Sequence, residues 1–332
     1  MQNKNMNITL RLIKIFLLLL VLFGCKNSED NPQSVDLPFA ERNFKMGMVP
    51  MPLNWNREEI RNAYLLSAQS GEVVSLSQKL GWNTSENINL YQNDVDLAVS
   101  NGLEIMISID VLNDERNDLG NLPDDLAGKD FSDSLIRKQY KEEVVQIAEK
   151  YPIKYLNLAI EINGYYESHP DDFYNFVSLY KETYDTVKSI KPDLIIGSSF
   201  QFEILNGSGQ WDLISIFGDK LDVLYLTSYP DLFNPSYKSL PSGYYSVLKN
   251  IDIPLVYIEI GWKGNNNNED ERLQEKFIID FIEENKNNNV ALITWALLHD
   301  WDNGGGFETM GLIDLNGRKK TAWYTWVKIF NL

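Results

Sequence analysis

The chain has 332 residues, of which 44% are hydrophobic and 12% aromatic, and its formal net charge is −17. This size suits one large α/β barrel or two smaller domains, and the acidic charge argues against nucleic acid or an anionic membrane surface as a partner. The single cysteine excludes an internal disulfide, and two histidines nearly exclude a Ser-His-Asp scheme or a His-rich metal site. Carboxylates are therefore the abundant catalytic groups, and a neutral substrate suits the charge.

The first 24 residues have the pattern of a secretory signal. Three basic residues precede an apolar run at 15–24, which is shorter than the roughly 20 residues that a transmembrane helix needs. The run ends in LFGC at 22–25, which resembles the processing box of bacterial lipoproteins. The resemblance implies cleavage before Cys25 and a lipid on this cysteine, with an uncleaved membrane anchor as the alternative.

The segment 25–43 is predicted to be a flexible tether, because it begins with the polar, proline-containing run KNSEDNPQSVD after Cys25. Its Ser28-Glu29-Asp30 is similar to the surface-export signals of Bacteroidetes lipoproteins. The expected location is the cell envelope, periplasmic or surface-exposed, with the membrane as a partner through the lipid at Cys25.

From residue 44 to residue 332, short apolar runs alternate with longer amphipathic stretches. The runs are rich in Val, Ile, Leu and Tyr, as parallel strands buried on both faces should be. The stretches 134–151, 172–190 and 271–286 have helical spacing of their apolar residues. Eight such repeats predict a (β/α)8 TIM barrel, and a doubly wound open sheet is less consistent with the lack of a Gly-rich phosphate loop. The eight apolar runs are 44–50, 72–77, 103–111, 154–162, 194–200, 221–229, 254–260 and 290–298.

Two of the apolar runs end on a glutamate, Glu161 and Glu259. A carboxylate in an apolar setting is costly, so it is usually paired or functional. The mouth of a (β/α)8 barrel is formed by the C-terminal ends of its strands. We therefore predict that the two glutamates face each other across one site, while pairing of each with Lys or Arg at the rim is the structural alternative. The other residues predicted around the mouth are Trp55, Asp110, Asn163, Gln201, Glu203, Tyr229, Trp262, Trp295, His299 and Asp300.

The two glutamate segments resemble those of clan A glycoside hydrolases. AIEIN at 159–163 is similar to the strand-4 segment with the acid/base glutamate, and YIEIGW at 257–262 is similar to the strand-7 segment with the nucleophile. The resemblance is strongest to family 53 endo-galactanases, and EING at 161–164 is also similar to family 26 mannanases. It implies retaining hydrolysis of a β-linked glycan, with Glu161 as the acid/base and Glu259 as the nucleophile.

The same resemblance implies roles for further residues. Tyr229 matches the tyrosine that hydrogen-bonds the nucleophile, and Trp295 matches the tryptophan that floors a sugar subsite. Trp55 and Trp262 lie in polar loops and are predicted to stack on sugars. A polysaccharide or oligosaccharide is the expected partner of a monomeric enzyme that needs no cofactor, since the pattern HDWD at 299–302 is too weak to predict a metal site.

Ile160 departs from the pattern of the clan. Most members have at this position an Asn that binds the sugar 2-hydroxyl, whereas an isoleucine side chain has no donor. Asn163 or Gln201 could take over the role, and otherwise the enzyme is slow or inactive. A catalytically inactive glycan-binding protein at the cell surface is therefore the alternative function.

Overall fold

The computed structural model describes residues 36–82, 91–264, 268–302 and 305–332. The predicted signal segment, Cys25 and most of the predicted tether lie outside these residues. Residues 37–332 form one compact unit. Residues 37–43, which the sequence assigned to the tether, belong to this unit, because Arg42 donates to the Phe330 carbonyl at 3.1 Å and pairs with Glu72 at 2.6 Å. None of the helices in the described ranges has the length and apolar character needed to span a membrane.

Nine parallel strands form one sheet. They are β1 (Lys45–Met48), β2 (Val73–Lys79), β3 (Glu104–Asp110), β4 (Tyr155–Asn157), β5 (Ile195–Gly197), β6 (Ser199–Gln201), β7 (Leu224–Ser228), β8 (Leu255–Ile260) and β9 (Val290–Trp295). Their order is β5-β4-β3-β2-β1-β9-β8-β7-β6. Only Ser198 separates β5 from β6, and β5 pairs with β4 whereas β6 pairs with β7. The two are halves of one interrupted strand, so the sheet closes and the predicted eight-stranded (β/α)8 barrel is confirmed.

Helices alternate with the strands and cover the outside of the barrel. In the described ranges they are α1 (Arg57–Ala68), α2 (Gln92–Ser100), α3 (Ser134–Lys150), α4 (Ile162–Ser168), α5 (Pro170–Ile190), α6 (Phe202–Gly207), α7 (Asp212–Ile216), α8 (Pro230–Phe233), α9 (Asn268–Asn285) and α10 (Thr321–Phe330). The three helices predicted from spacing are confirmed as α3, α5 and α9. The side chain of Asp133 caps α3 by accepting from the backbone of Leu135 and Ile136, which fixes where this helix begins.

Side-chain alternation along the strands divides the barrel interior into two levels. The lower level is apolar, and it includes Val73, Met106, Tyr225 and Val256, all from strands. Two residues further along the strands, the inward side chains become small and polar. These buried residues are Ser75, Ser108, Asn157, Thr227 and Thr294. The floor under the mouth is therefore polar, and the apolar packing that stabilises the barrel lies below it.

Candidate active site

A one-residue bulge on β8 turns Glu259 toward the interior. Val256 faces the interior cluster and Tyr257 faces the helices, so regular alternation would place Glu259 outside. The β7 partners of Tyr257 and Glu259 are consecutive residues, which leaves Ile258 as the extra residue. A bulge re-aims the side chain that follows it. Glu259 consequently lies in register with Thr227 on the same face of the sheet.

Glu161 reaches the mouth through a left-handed backbone conformation. Its φ is +53°, a region that costs a non-glycine residue of the order of 1 kcal/mol. The backbone N–H of Glu161 donates to the Ser199 hydroxyl at 2.8 Å, and α4 begins at the next residue. A strained residue at a strand end is typical of functional sites.

Thr227 brings the two glutamates to one place. Its hydroxyl donates to Glu161 Oε1 at 2.5 Å, and its Cα is the register partner of Glu259. Paired strands lie about 4.8 Å apart, so Glu259 starts one strand spacing away from the residue that holds Glu161. This places both side chains at one point of the barrel mouth.

Arg116 pairs with Glu161 and with a third acidic residue of the mouth. Its Nε donates to Glu161 Oε2 at 3.0 Å, and its Nη1 donates to Asp110 Oδ1 at 2.5 Å. The structural alternative of a paired glutamate thus holds for Glu161. Glu259, in contrast, forms no ion pair with any described residue, and among these residues its carboxyl group accepts one hydrogen bond, from the Tyr229 hydroxyl.

The loop after β3 is built to present Arg116. Arg116 has a left-handed backbone with φ +59°, and its N–H donates to the Asn113 carbonyl at 3.1 Å. The Asn113 side chain accepts from two further N–H groups of the loop, and Leu112 pairs with Leu119 across it. A Cβ at Gly164 would lie 2.8 Å from the Arg116 Cβ, so only glycine allows α4 to approach the loop this closely.

Burial raises the pKa of Glu259 to about 7. The hydrogen bond from the Tyr229 hydroxyl opposes this rise, and the negative charge of Glu161 adds to it. Glu161 and Arg116 also act on the pKa of Tyr229, which is raised well above its usual range chiefly by burial. All four side chains therefore belong to one electrostatic cluster, in which Glu259 changes charge near neutral pH.

Glu203 holds the backbone at Tyr229 by hydrogen bonds. This half-buried side chain accepts from Ser228 Oγ at 2.6 Å, from the Tyr229 N–H at 3.3 Å and from the Gln201 amide. Burial raises the pKa of Glu203 to about 7, although the bonds from Ser228 and Gln201 oppose the rise. The sequence favoured a solvated rim charge here, but the side chain instead fixes the backbone that aims Tyr229 at Glu259.

Two of the predicted sugar-stacking tryptophans face the helices. Trp295 is fully buried, and its ring lies 5.8 Å from Trp326 and 6.1 Å from Phe277 on the outer helices. Trp262 is buried too and stacks on Phe277 at 5.1 Å. Alternation on β9 turns Thr294 inward and Trp295 outward, so the predicted stacking roles of Trp262 and Trp295 are corrected to packing between barrel and helices.

Asn163 and Gln201, the candidates for the missing sugar donor, are both buried. The Asn163 amide donates to the Gln201 carbonyl at 3.0 Å and accepts from the Gln201 N–H at 2.8 Å. The Gln201 side chain accepts from the Ile204 N–H at 2.8 Å and so caps α6. Ile160 packs in the apolar interior. The Asn163 amide thus holds the start of α4 to the end of β6 and the Gln201 amide caps α6, so neither is free to meet a ligand.

Trp55 is the exposed member of the predicted set, with 75% of its surface accessible. It lines a cavity of about 360 Å³ together with Met51, Tyr64 and Asp94. It also lines a second cavity of about 300 Å³, together with Trp301 and Asp302. Trp55 therefore offers an exposed aromatic surface to two cavities.

The HDWD segment has a structural role in this fold. His299 contacts the Met51 carbonyl through Nδ1 at 2.7 Å, and Asp300 pairs with Lys320 at 2.7 Å. In the part of the chain that the structure describes, no group of three or more His, Cys, Asp and Glu side chains could hold a metal ion.

Sequence reasoning did not find Arg116, Thr227 or Ser199. Arg116 lies in the charged loop segment DERND at 114–118, which has no apolar periodicity. Its approach to Glu161 depends on the loop conformation. Once the barrel was assumed, alternation along β7 could have predicted that the Thr227 side chain points inward. Alternation along β3 could likewise have predicted the position of Asp110.

No protein-family model matches the chain, and no curated protein matches its sequence. Its structure is similar to that of an exo-β-1,4-mannosidase from Opitutaceae bacterium strain TAV5, with a TM-score of 0.69 at 15% identity. The match covers 87% of this chain and 59% of the mannosidase. This chain thus spans less than two thirds of that enzyme.

Two other solved structures give similar matches. A GH5_18 protein from Streptomyces cattleya in complex with GlcNAc has a TM-score of 0.66 at 16% identity, covering 88% of this chain and 80% of that one. A psychrophilic family 10 endo-β-1,4-xylanase has a TM-score of 0.64 at 12% identity, covering 87% and 96%. At these identities the likeness shows a shared (β/α)8 fold.

Proposed function

We propose that this protein is a glycoside hydrolase that cleaves a β-linked polysaccharide or oligosaccharide with Glu161 and Glu259. The observation that carries the proposal is the position of Thr227, which bonds one glutamate and lies in register with the other. A separation of about 5 Å between the two catalytic carboxyl groups is typical of retaining glycosidases, and this position of Thr227 is compatible with it. Structural neighbours named as a β-1,4-mannosidase and a β-1,4-xylanase support a β-linked substrate.

In the proposed reaction, a Glu259 oxygen attacks the anomeric carbon. The bond from this carbon to the leaving oxygen breaks, and the leaving oxygen takes a proton from Glu161. Water then attacks the glycosyl ester while Glu161 accepts a proton from that water, which restores both carboxyl groups. Burial raises the pKa of Glu259 to about 7, so below this pH the folded protein holds a proton on the proposed nucleophile. Glu259 must therefore release its proton before it attacks.

Trp55 is the residue that we propose to stack on sugars, because its ring is exposed and lines two cavities. Tyr229 is proposed to orient Glu259 through its hydroxyl. Asn163, Gln201, Trp262 and Trp295 are assigned supporting roles behind the site, in keeping with their burial. The likeness of the two glutamate segments to families 53 and 26 adds galactans and mannans to the substrates to be tested.

The test is a panel of β-mannan, β-galactan, β-xylan and β-glucan, with product masses measured for wild type and Glu161→Ala. Loss of a general acid slows glycoside cleavage by about 10²–10⁴-fold. The loss is expected to be much smaller for a dinitrophenyl glycoside of the cleaved sugar, whose leaving group needs no proton. Glu167→Ala, an exposed change on α4, is the control. Release of no product from any polysaccharide by the wild type contradicts the proposal.

An inactive glycan-binding protein is the second candidate, and two observations favour it. Ile160 has no donor, and Arg116 holds the proposed acid/base in an ion pair. Binding of a panel glycan by calorimetry without any product release would select this function over hydrolysis.

We also propose that the protein is anchored in the cell envelope by a lipid on Cys25. The support is the sequence alone, namely the LFGC box after the apolar run and the polar segment that follows it. The localisation to one face of the outer membrane is part of the same proposal.

Cys25→Ser is expected to abolish the anchor. In a Gram-negative host fed an alkynyl palmitate, the wild type is expected to become labelled and to sediment with membranes, whereas the variant is not labelled. Ser28→Ala is the control that leaves the cysteine in place. Labelling of the Cys25→Ser protein, or an unlabelled wild type, contradicts lipidation at this residue.

A further inference from the structure

Arg116 has one donor group without a partner. Nε contacts Glu161 and Nη1 contacts Asp110, while Nη2 forms no hydrogen bond with any described residue. The side chain is 26% exposed. A guanidinium presents five N–H donors in a rigid plane, so the two contacts fix the orientation of the remaining end. That end belongs to a partly exposed side chain and is held beside the proposed acid/base.

The surrounding charges restrict what this donor can bind. Asp110 and Glu161 are two carboxylates against the one guanidinium, and Glu259 adds a third negative charge where it is ionised. An anionic ligand would be repelled by this excess of acidic groups, whereas the oxygen of a sugar hydroxyl is an uncharged acceptor. Of the donors predicted from sequence, the Asn163 amide donates to the Gln201 carbonyl and the Gln201 amide donates to Glu203.

We propose that Arg116 is a ligand-binding residue whose Nη2 donates to a hydroxyl oxygen of the glycan, and that its acidic surroundings make the site select neutral over uronic sugars. The inference deepens the proposed function and rests on it for the class of ligand. The strained backbone of Arg116 and the clearance at Gly164 fix the loop on which this donor lies.

The test measures binding in a Glu259→Gln background, in which a ligand is not consumed. Calorimetry at pH 6 compares three neutral β-1,4-linked trisaccharides, mannotriose, xylotriose and cellotriose, with the β-1,4-linked mannuronate trisaccharide. Mannotriose and the mannuronate differ only at C6, where a carboxylate replaces the hydroxymethyl group. We expect at least one neutral trisaccharide to bind, and the mannuronate to bind at least about tenfold more weakly than mannotriose.

Arg116→Gln and Arg116→Lys are expected to weaken binding of the neutral trisaccharide about tenfold to a hundredfold, as for the loss of a charged hydrogen bond. Lysine keeps the charge but lacks the planar fork, so its failure to restore binding assigns the effect to the donor. Arg137→Gln is the matched control, because Arg137 pairs with Glu182 on the outer helices and has 21% exposure. Asp110→Asn is expected to reduce the difference in affinity between mannotriose and the mannuronate trisaccharide.

Melting curves establish that each variant is folded. Unchanged affinity in both folded Arg116 variants overturns the proposal, as does equal or tighter binding of the mannuronate, or binding of none of the neutral trisaccharides. These outcomes are separable from failure of the proposed function. Binding that depends on Arg116 without hydrolysis by the wild type retains the inference, and hydrolysis with Arg116-independent binding removes it.

Discussion

Glu259→Gln is expected to reduce hydrolysis by more than about 10⁴-fold and, at alkaline pH, to make the protein more stable. The activity falls because glutamine cannot form the glycosyl ester that divides the reaction into two steps. In the wild type, the nucleophile must be ionised. Because burial raises the pKa of Glu259 to about 7, kcat/KM is expected to rise with pH up to about 7.

The gain in stability follows from the same raised pKa. Between pH 4.5 and pH 7 the folded chain holds a proton on Glu259 that the unfolded chain has released, so the free energy of unfolding decreases as pH rises through this range. This destabilisation is absent below pH 4.5, the pKa of the glutamate in the unfolded chain, and it is complete above about pH 7. A rise from 4.5 to about 7 corresponds to about 3 kcal/mol, an upper bound for a half-buried group. Glu259→Gln removes this penalty at pH 8.5 and changes nothing at pH 4.

Urea unfolding at the two pH values and a pH profile of kcat/KM are the measurements. Glu104→Gln is the matched control, because Glu104 pairs with Lys45 at the opposite end of the barrel with both side chains 38% exposed. We expect this control to keep full activity and to change stability by less than about 1 kcal/mol. Activity retained by Glu259→Gln contradicts the nucleophile assignment. A variant less stable than the wild type at pH 8.5 contradicts the burial argument.

The barrel could be predicted from sequence because its signals are local and repeated. Each strand is buried on both faces and therefore has a continuous apolar run, and each helix has one apolar face. The boundaries of α3, α5 and α9 follow from this spacing and from local caps. Closure of the barrel at the break at Ser198 has no such signal, since it requires two half-strands to pair with different neighbours.

The site could be predicted only as far as strand ends imply it. The position of Glu259 on β8 predicted its level in the barrel, but the direction of its side chain depends on the bulge at Ile258. Regular alternation would place Ile258 inside and Glu259 outside, and nothing in LVYIEIGW marks the extra residue. The stacking role predicted for Trp295 was wrong for the opposite reason. Here β9 keeps strict alternation, which turns the Trp295 side chain outward toward the helices.

Arg116 shows why a catalytic cluster is harder to predict than a fold. Its two carboxylate partners are 6 and 45 residues away in the chain. The contact depends on a left-handed turn in a polar loop and on the glycine at 164 of the facing helix. No sequence pattern marks these features, and only their combination in space places a guanidinium between the two acids.

Lys320→Met is expected to destabilise the protein by about 3–5 kcal/mol, because it leaves Asp300 buried without its cation. The Lys320 side chain is 0% exposed, pairs with Asp300 at 2.7 Å and donates to the carbonyls of Gly264 and Thr309. Burial raises the pKa of Asp300 to about 6 even with this lysine beside it, and burial lowers the pKa of Lys320. Each buried charge is therefore stabilised by the opposite charge of the other group.

The pair holds the segment after β9 against the site. Asp300 donates its N–H to the Ile313 carbonyl at 2.8 Å, and the Met310 between them packs with Tyr229, the partner of Glu259. Urea unfolding measures the loss, and Asp300→Asn with Lys320→Met is expected to recover part of it. Lys220→Met removes a partly exposed pair with Asp185 and is expected to cost much less than Lys320→Met, since exposed ion pairs contribute little to stability. Equal losses for the two lysine variants would mean that burial of the Lys320 pair adds nothing, and the mouth would then be held by packing alone.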